Sequence, residues 1–152
     1  MGVMDDEYFY VPKTVLPEHE QRAADKQCTM LKLDFIRKWV VKGNLDLFKT
    51  EQERDWAYIV RKEYRYHQKK AIGEGIAYTS LATVVYSLLV KQVSFKPLAL
   101  FFVVTPFLVT PRLSKDCRRM FEMLNVGTEY ELGAERNRVL EECNRISKRA
   151  DF

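Results

Sequence analysis

The chain has 152 residues, 30% of them charged, a formal net charge of +4 and three cysteines. That length allows one domain at most. Cys28, Cys117 and Cys143 are widely separated and odd in number, with no CxxC pair or Cys/His metal spacing, which excludes a disulfide framework or a zinc module. The bases sit beside apolar runs rather than over one face, which excludes a nucleic-acid binder.

Residues 1–17 form an irregular acidic arm broken by Pro12 and Pro17. Six acids stand against three bases within residues 1–30. The start MGVMDDEYFY is neither a secretory signal nor an Arg-rich transit peptide, so no cleaved presequence is expected. Asp6 stands where N-myristoylation wants Ser or Thr. Chain ends are loose unless tied down, so the arm is expected to dock on a partner.

Pro17 is placed to open an amphipathic helix over 18–43. Cys28, Leu31, Phe35 and Trp39 fall at helical spacing, and Gly43–Asn44 supply the stop. Thr50 with Glu53 is a capping box that opens a basic juxtamembrane helix over 50–74. Trp56, Ile59, Val60 and Tyr64 mark its apolar edge before the segment RKEYRYHQKK. Gly73 and Gly75 are the candidate breaks. Without a break it would run to Val90, about forty residues or roughly 60 Å.

Residues 75–111 hold two uncharged runs, about 75–90 and 97–111, of sixteen and fifteen residues. Only KQVSFK separates them. The pattern predicts a transmembrane helical hairpin. Both runs fall short of the roughly twenty residues that a 30 Å hydrocarbon core requires. Snorkelling makes up the deficit: Lys91 and Lys96 at the turn, Lys69, Lys70 and Arg112 at the open end. Tyr64 and Tyr66 complete these interface anchors as an aromatic belt. Pro106 makes the second run the weaker span, with a re-entrant course as its alternative. Five bases precede the first run and four follow the second, against two in the loop, which places both termini on the matrix or cytoplasmic side.

Ala71, Gly75, Thr79, Thr83 and Ser87 recur every fourth residue and form a small helix-packing stripe. Ile76, Leu81, Val84, Leu88 and Leu89 form the opposite, lipid-suited surface. The stripe is expected to meet another helix, with its hydroxyls bridging across.

Pro111 and Ser114 mark a fresh helix start in the C-terminal region, residues 112–152. Gly127 ends that helix, and Thr128 with Glu131 caps a last one over about 129–148. Leu132, Val139 and Ile146 recur every seven residues, as in a helix laid along a partner. Together with Trp39 and Trp56 they are the predicted partner-contact faces. The charged flanks have too little apolar surface to build a large core of their own, or to cover the hairpin.

Neither run contains an ionisable residue, which argues against a pump or channel. His19 and His67 lack metal-spaced companions, and His67 reads as solvated or interfacial. Glu74 reads as a helix-end carboxylate facing Lys70. No nucleophile elbow, phosphate loop or paired-carboxylate site is present. No catalytic, cofactor-binding or metal residue is assigned, and a structural phospholipid is the one small molecule with a place in this reading.

The expected fold class is all-α: a two-span transmembrane helical hairpin flanked by amphipathic polar helices. No motif identifies a family. The layout is similar to that of small supernumerary subunits of mitochondrial inner-membrane complexes, a resemblance of architecture alone. It implies a non-catalytic accessory subunit that braces a respiratory-chain or ATP synthase assembly. Its partners would be other subunits and the phospholipid bilayer, with no nucleic acid and no small-molecule substrate. Its place would be the mitochondrial inner membrane with matrix-side termini, or another intracellular membrane with cytoplasmic termini. A free-standing hairpin that shapes or tethers one bilayer is the alternative. A membrane enzyme lacks a nucleophile and a base in one place.

Overall fold

The computed structural model describes residues 17–127 and 130–149, which are helical with no strand among them. The acidic arm and the Thr128 cap fall outside the described residues. Helix α1 spans Glu18–Phe35 and passes directly into a π-helical turn, Ile36–Val41. A short 3-10 turn, Leu45–Leu47, leads to α2, Glu51–Val90. A second 3-10 turn, Lys96–Leu100, leads to α3, Phe101–Met123, and α4 spans Glu131–Arg149.

Local chemistry accounts for most of these ends. The Pro17 carbonyl accepts from the Glu20 and Gln21 amides, and Glu18 and Glu20 sit at the positive end of α1. The π turn spaces inward residues by five, so Phe35 and Val40 both reach the core beside Ile36. A Cβ on Gly43 would overlap the Trp39 carbonyl oxygen, so only glycine closes this turn. Arg61 then caps the turn from α2, donating to the Val40 carbonyl at 2.6 Å and to the Gly43 carbonyl at 2.5 Å.

Thr50 and Glu53 form the reciprocal capping box at the head of α2. Neither Gly73 nor Gly75 interrupts it, and the helix continues for 40 residues. It ends at Lys91 in the left-handed conformation, φ 56°. A non-glycine residue there costs roughly 1–2 kcal/mol.

The C-terminal region does not start afresh at Pro111. Helix α3 runs through both Pro106 and Pro111. Each proline removes one backbone hydrogen bond and costs about 3 kcal/mol in an ordinary helix interior. Four side chains beyond them, Leu113, Cys117, Met120 and Phe121, are buried on one face. Burial of a large apolar side chain stabilises by about 1.5–3 kcal/mol, so the continued helix outweighs the break.

The core lies in the charged flanks, contrary to the expectation that they could not form one. Leu33, Phe35, Ile36 and Val40 from α1 and its π turn meet Val60 and Tyr64 of α2. Leu113, Met120 and Phe121 of α3 and Leu132 of α4 close the cluster. Phe35 meets the Phe121 ring edge-on at 5.6 Å, and the Lys32 and Arg136 cations approach that ring at 5.4 and 4.9 Å. Each helix carries only one apolar stripe, but four stripes facing inward suffice. Helix α4 thus lies along the chain's own α1, with Leu132 buried.

Candidate membrane interface

Helices α2 and α3 run side by side in opposite directions, and their contacts fall in register along the pair. At the turn, the Ser94 amide donates to Ser87 Oγ at 3.2 Å. Midway, Gly75 faces Thr105 and Phe101. Further down, Arg112 pairs with Glu74, His67 with Asp116, and Arg119 with Glu63. The last three form a ladder below the apolar segments, ionic at its Arg112–Glu74 and Arg119–Glu63 rungs.

Ala71, Gly75 and Thr79 are buried, while Thr83 and Ser87 are half-buried. The lower part of the stripe is therefore filled by α3. A Cβ on Gly75 would lie 2.6 Å from Thr105 Oγ1 and 3.2 Å from the Phe101 ring, so these two side chains fill the space the glycine leaves open. The Thr79 and Thr83 hydroxyls do not bridge to α3. They donate back to the Gly75 and Thr79 carbonyls at 2.8 and 2.7 Å, the local bond that satisfies a hydroxyl in a dry helix.

The other side of both helices is bare. In the most apolar stretch of α2 only 11% of the residues are buried, and in that of Lys96–Met123 only 6%. Leu89 and Phe102 are 78% and 79% exposed, and Ile76, Leu81, Val84, Leu88 and Phe107 are also exposed. Both helices are long and apolar enough to cross a membrane.

The predicted interface anchors divide. Tyr66, Lys69, Lys70, Lys91 and Lys96 are exposed. Tyr64 is 5% exposed inside the core and cannot reach a membrane surface, because its helix face meets α1 and α3. Burial raises its phenol above the ordinary value, with Arg37 opposing and Asp34 reinforcing the shift. Arg112 is half-buried and committed to Glu74, which therefore does not answer to Lys70.

The predicted partner faces divide as well. Trp56 is exposed. Trp39 and Val139 line one shallow groove between α1 and α4. Ile146 is half-buried, and Leu132 is spent in the core. One face of α2 gathers Tyr58, Arg61, Lys62, Arg65, Tyr66 and Lys69 around a cavity of about 290 Å³ with no acid in its lining.

His67 is neither solvated nor free. Its side chain is 16% exposed, and Nε2 stands 2.9 Å from Asp116 Oδ2. Glu63, His67 and Asp116 bring one ligand-type atom each within 4.8 Å of one another. Arg119 pairs with Glu63 and Asp116 stands against His67, so the cluster is a polar clasp between α2 and α3. The sequence signal for it was present as Glu63 and His67 at i,i+4, but their partners lie about 50 residues away on another helix.

A second clasp was half legible. Glu53, read as a capping residue, also accepts from the Tyr130 hydroxyl at 2.6 Å and the Gly127 amide at 3.3 Å. Burial pushes its carboxyl up, but the donors Tyr130, Gly127 and Thr50 win and hold it below 4.5. The same contact, after burial, pushes the Tyr130 phenol up to about 12. The capping box of α2 thus also fastens the segment leading into α4.

No protein-family model matches this chain, and no curated protein matches it in sequence.

Proposed function

We propose that this chain is a non-catalytic accessory subunit of a larger membrane complex. Helices α2 and α3 form its transmembrane hairpin, and the other helices form a polar cap on one side. The proposed place is the mitochondrial inner membrane, with both termini on the matrix side. The supporting observation is the division of apolar surface. The cap has its own closed core, whereas the apolar segments of α2 and α3 are bare over most of their girth. A water-soluble monomer rarely exposes an apolar patch beyond a few hundred Å². Lipid and neighbouring helices are the natural cover.

The accessory role is favoured over a free-standing hairpin by what lies below the apolar segments. Trp56, Tyr58, Ile59 and Tyr66 are exposed on the cap part of α2, among bases. A bilayer reaches only the upper part of that strip. At about 1.5 Å per residue, Tyr58 lies roughly 25 Å below Gly75 along the helix. A protein neighbour fits such an aromatic-basic surface.

Native electrophoresis of gently solubilised membranes, followed by mass spectrometry, tests the role. The accessory reading expects the chain within a large assembly. Migration alone would replace it with the free-standing hairpin. A second arm tests the absence of chemistry: His67→Ala should leave turnover per assembled complex unchanged while weakening the clasp. A large fall in specific turnover at normal complex abundance would overturn the non-catalytic role.

A further inference from the structure

The three cysteines, separated by 89 and 26 residues in sequence, come from three different helices into one corner of the cap. The Cys28 thiol of α1 donates to the Cys143 carbonyl at 3.6 Å, and the Cys143 thiol of α4 donates to the Cys28 carbonyl at 3.8 Å. Cys117 of α3 stands beside them, its thiol donating to the Thr29 carbonyl at 3.6 Å. All three are free thiols.

We infer that Cys28 and Cys143 are a reversible disulfide site that fastens α4 to α1 when the protein meets a peroxide. Each sulfur already lies within 4 Å of the other residue's main chain. That reciprocal approach sets the two residues face to face across the α1–α4 seam, the pairing from which a disulfide, with Cα atoms about 4.4–6.8 Å apart, can close. Cys117 has no such reciprocal contact; its thiol is directed to the Thr29 carbonyl, one residue beyond Cys28.

Accessibility orders the chemistry. Cys28 is half-buried, whereas Cys117 and Cys143 are buried, so peroxide reaches Cys28 first. The Cys28 thiolate attacks one peroxide oxygen, forming a sulfenic acid and expelling hydroxide, which takes up the thiol proton as water. The Cys143 thiol then attacks the Cys28 sulfur, forming the S–S bond and releasing a second water. Two thiols are oxidised and one peroxide is reduced to two waters. Burial pushes the Cys143 thiol up to about 11, reinforced by contact with Cys28 and proximity to Cys117 and opposed by Lys32. The second step is therefore slow at neutral pH and accelerates as pH rises.

The consequence is mechanical. Helix α4 is held to the molecule chiefly along α1, and the link closes a loop of more than a hundred residues at that seam. It converts a packed contact into a covalent one.

The test uses the full chain in detergent micelles. The protein is treated with hydrogen peroxide, alkylated under denaturing conditions and mapped by mass spectrometry. A Cys28–Cys143 linked peptide should dominate over links through Cys117 by at least about tenfold, following the geometry of bridging. Tm of the oxidised form should rise by about 10 °C and return on reduction. Cys117→Ser should leave the yield intact, and Cys28→Ser should abolish it. Links mainly through Cys117, no link in the native protein, or over-oxidised Cys28 beside unreacted Cys143 would each overturn the assignment. Mapping of the unsubstituted chain decides the matter even where a variant does not fold.

Discussion

At Gly75, a methyl group would press on Thr105 and the Phe101 ring, whereas at Gly73, two residues away, nothing lies within 4 Å of the same atom. The two glycines therefore give opposite expectations. Gly75→Val should destabilise by about 1–3 kcal/mol through overpacking. Gly73→Ala should be neutral or stabilise by up to about 1 kcal/mol through helix propensity. Thermal melts in one detergent compare them directly, and equal behaviour would remove the close approach from the argument. Glu53 gives a pH-dependent expectation. Its carboxyl is held below 4.5, so its contribution is present above that value and is lost as pH falls through the lower folded value. Glu53→Gln should be less stable than the parent at pH 7 and converge with it in acid. Parallel melting curves across that range would refute the clasp.

Among the elements, α3 offers the sharpest test, because it carries two prolines yet does not break. If Pro111 is a tolerated interruption, Pro111→Ala should stabilise, by up to about 3 kcal/mol. A fall in Tm would show that Pro111 sets the course of the helix instead. The ladder joining α2 to α3 is a second element-scale device. Glu74 and Arg112 each keep about a third of their side-chain surface exposed. Their coupling in a double-mutant cycle should therefore be modest, about 1 kcal/mol or less. A coupling near zero in low salt would mean that the rung does not help hold the helices together.

For the whole molecule, topology is the decisive property. Ser94 lies in the turn between the apolar helices, and half-buried Cys28 lies in the cap. With both runs spanning, Ser94→Cys should react with an impermeant maleimide only from the face opposite Cys28. Labelling of both from one face would make the second run re-entrant. The same arrangement predicts that Leu88→Phe, on the bare side, is tolerated, while Thr79→Leu, on the buried side, disrupts the pair. Chymotryptic protection of the α2–α3 pair in vesicles, compared between the two variants, reads this difference.

The sequence by itself determined what depends on near neighbours. Most of the helices, the Thr50–Glu53 cap and the two uncharged runs are set by residues within a turn or two of one another, and periodicity reports them, whereas the course of α3 through Pro111 rests on burial of its far end. It also marked which side of α2 is small and which is bulky. Tertiary structure alone decided which stripe meets which. Tyr64 looks like a membrane-interface anchor and Leu132 like a partner contact in one dimension, and both lie in the core in three. Glu74 passes over Lys70 for Arg112, 38 residues away. Three scattered cysteines meet because three amphipathic faces close on one core. A helix stripe states that something must cover it, since exposed apolar area is costly. It does not state what, because the covering residues come from elsewhere in the chain, and only the packing that buries all stripes together selects them.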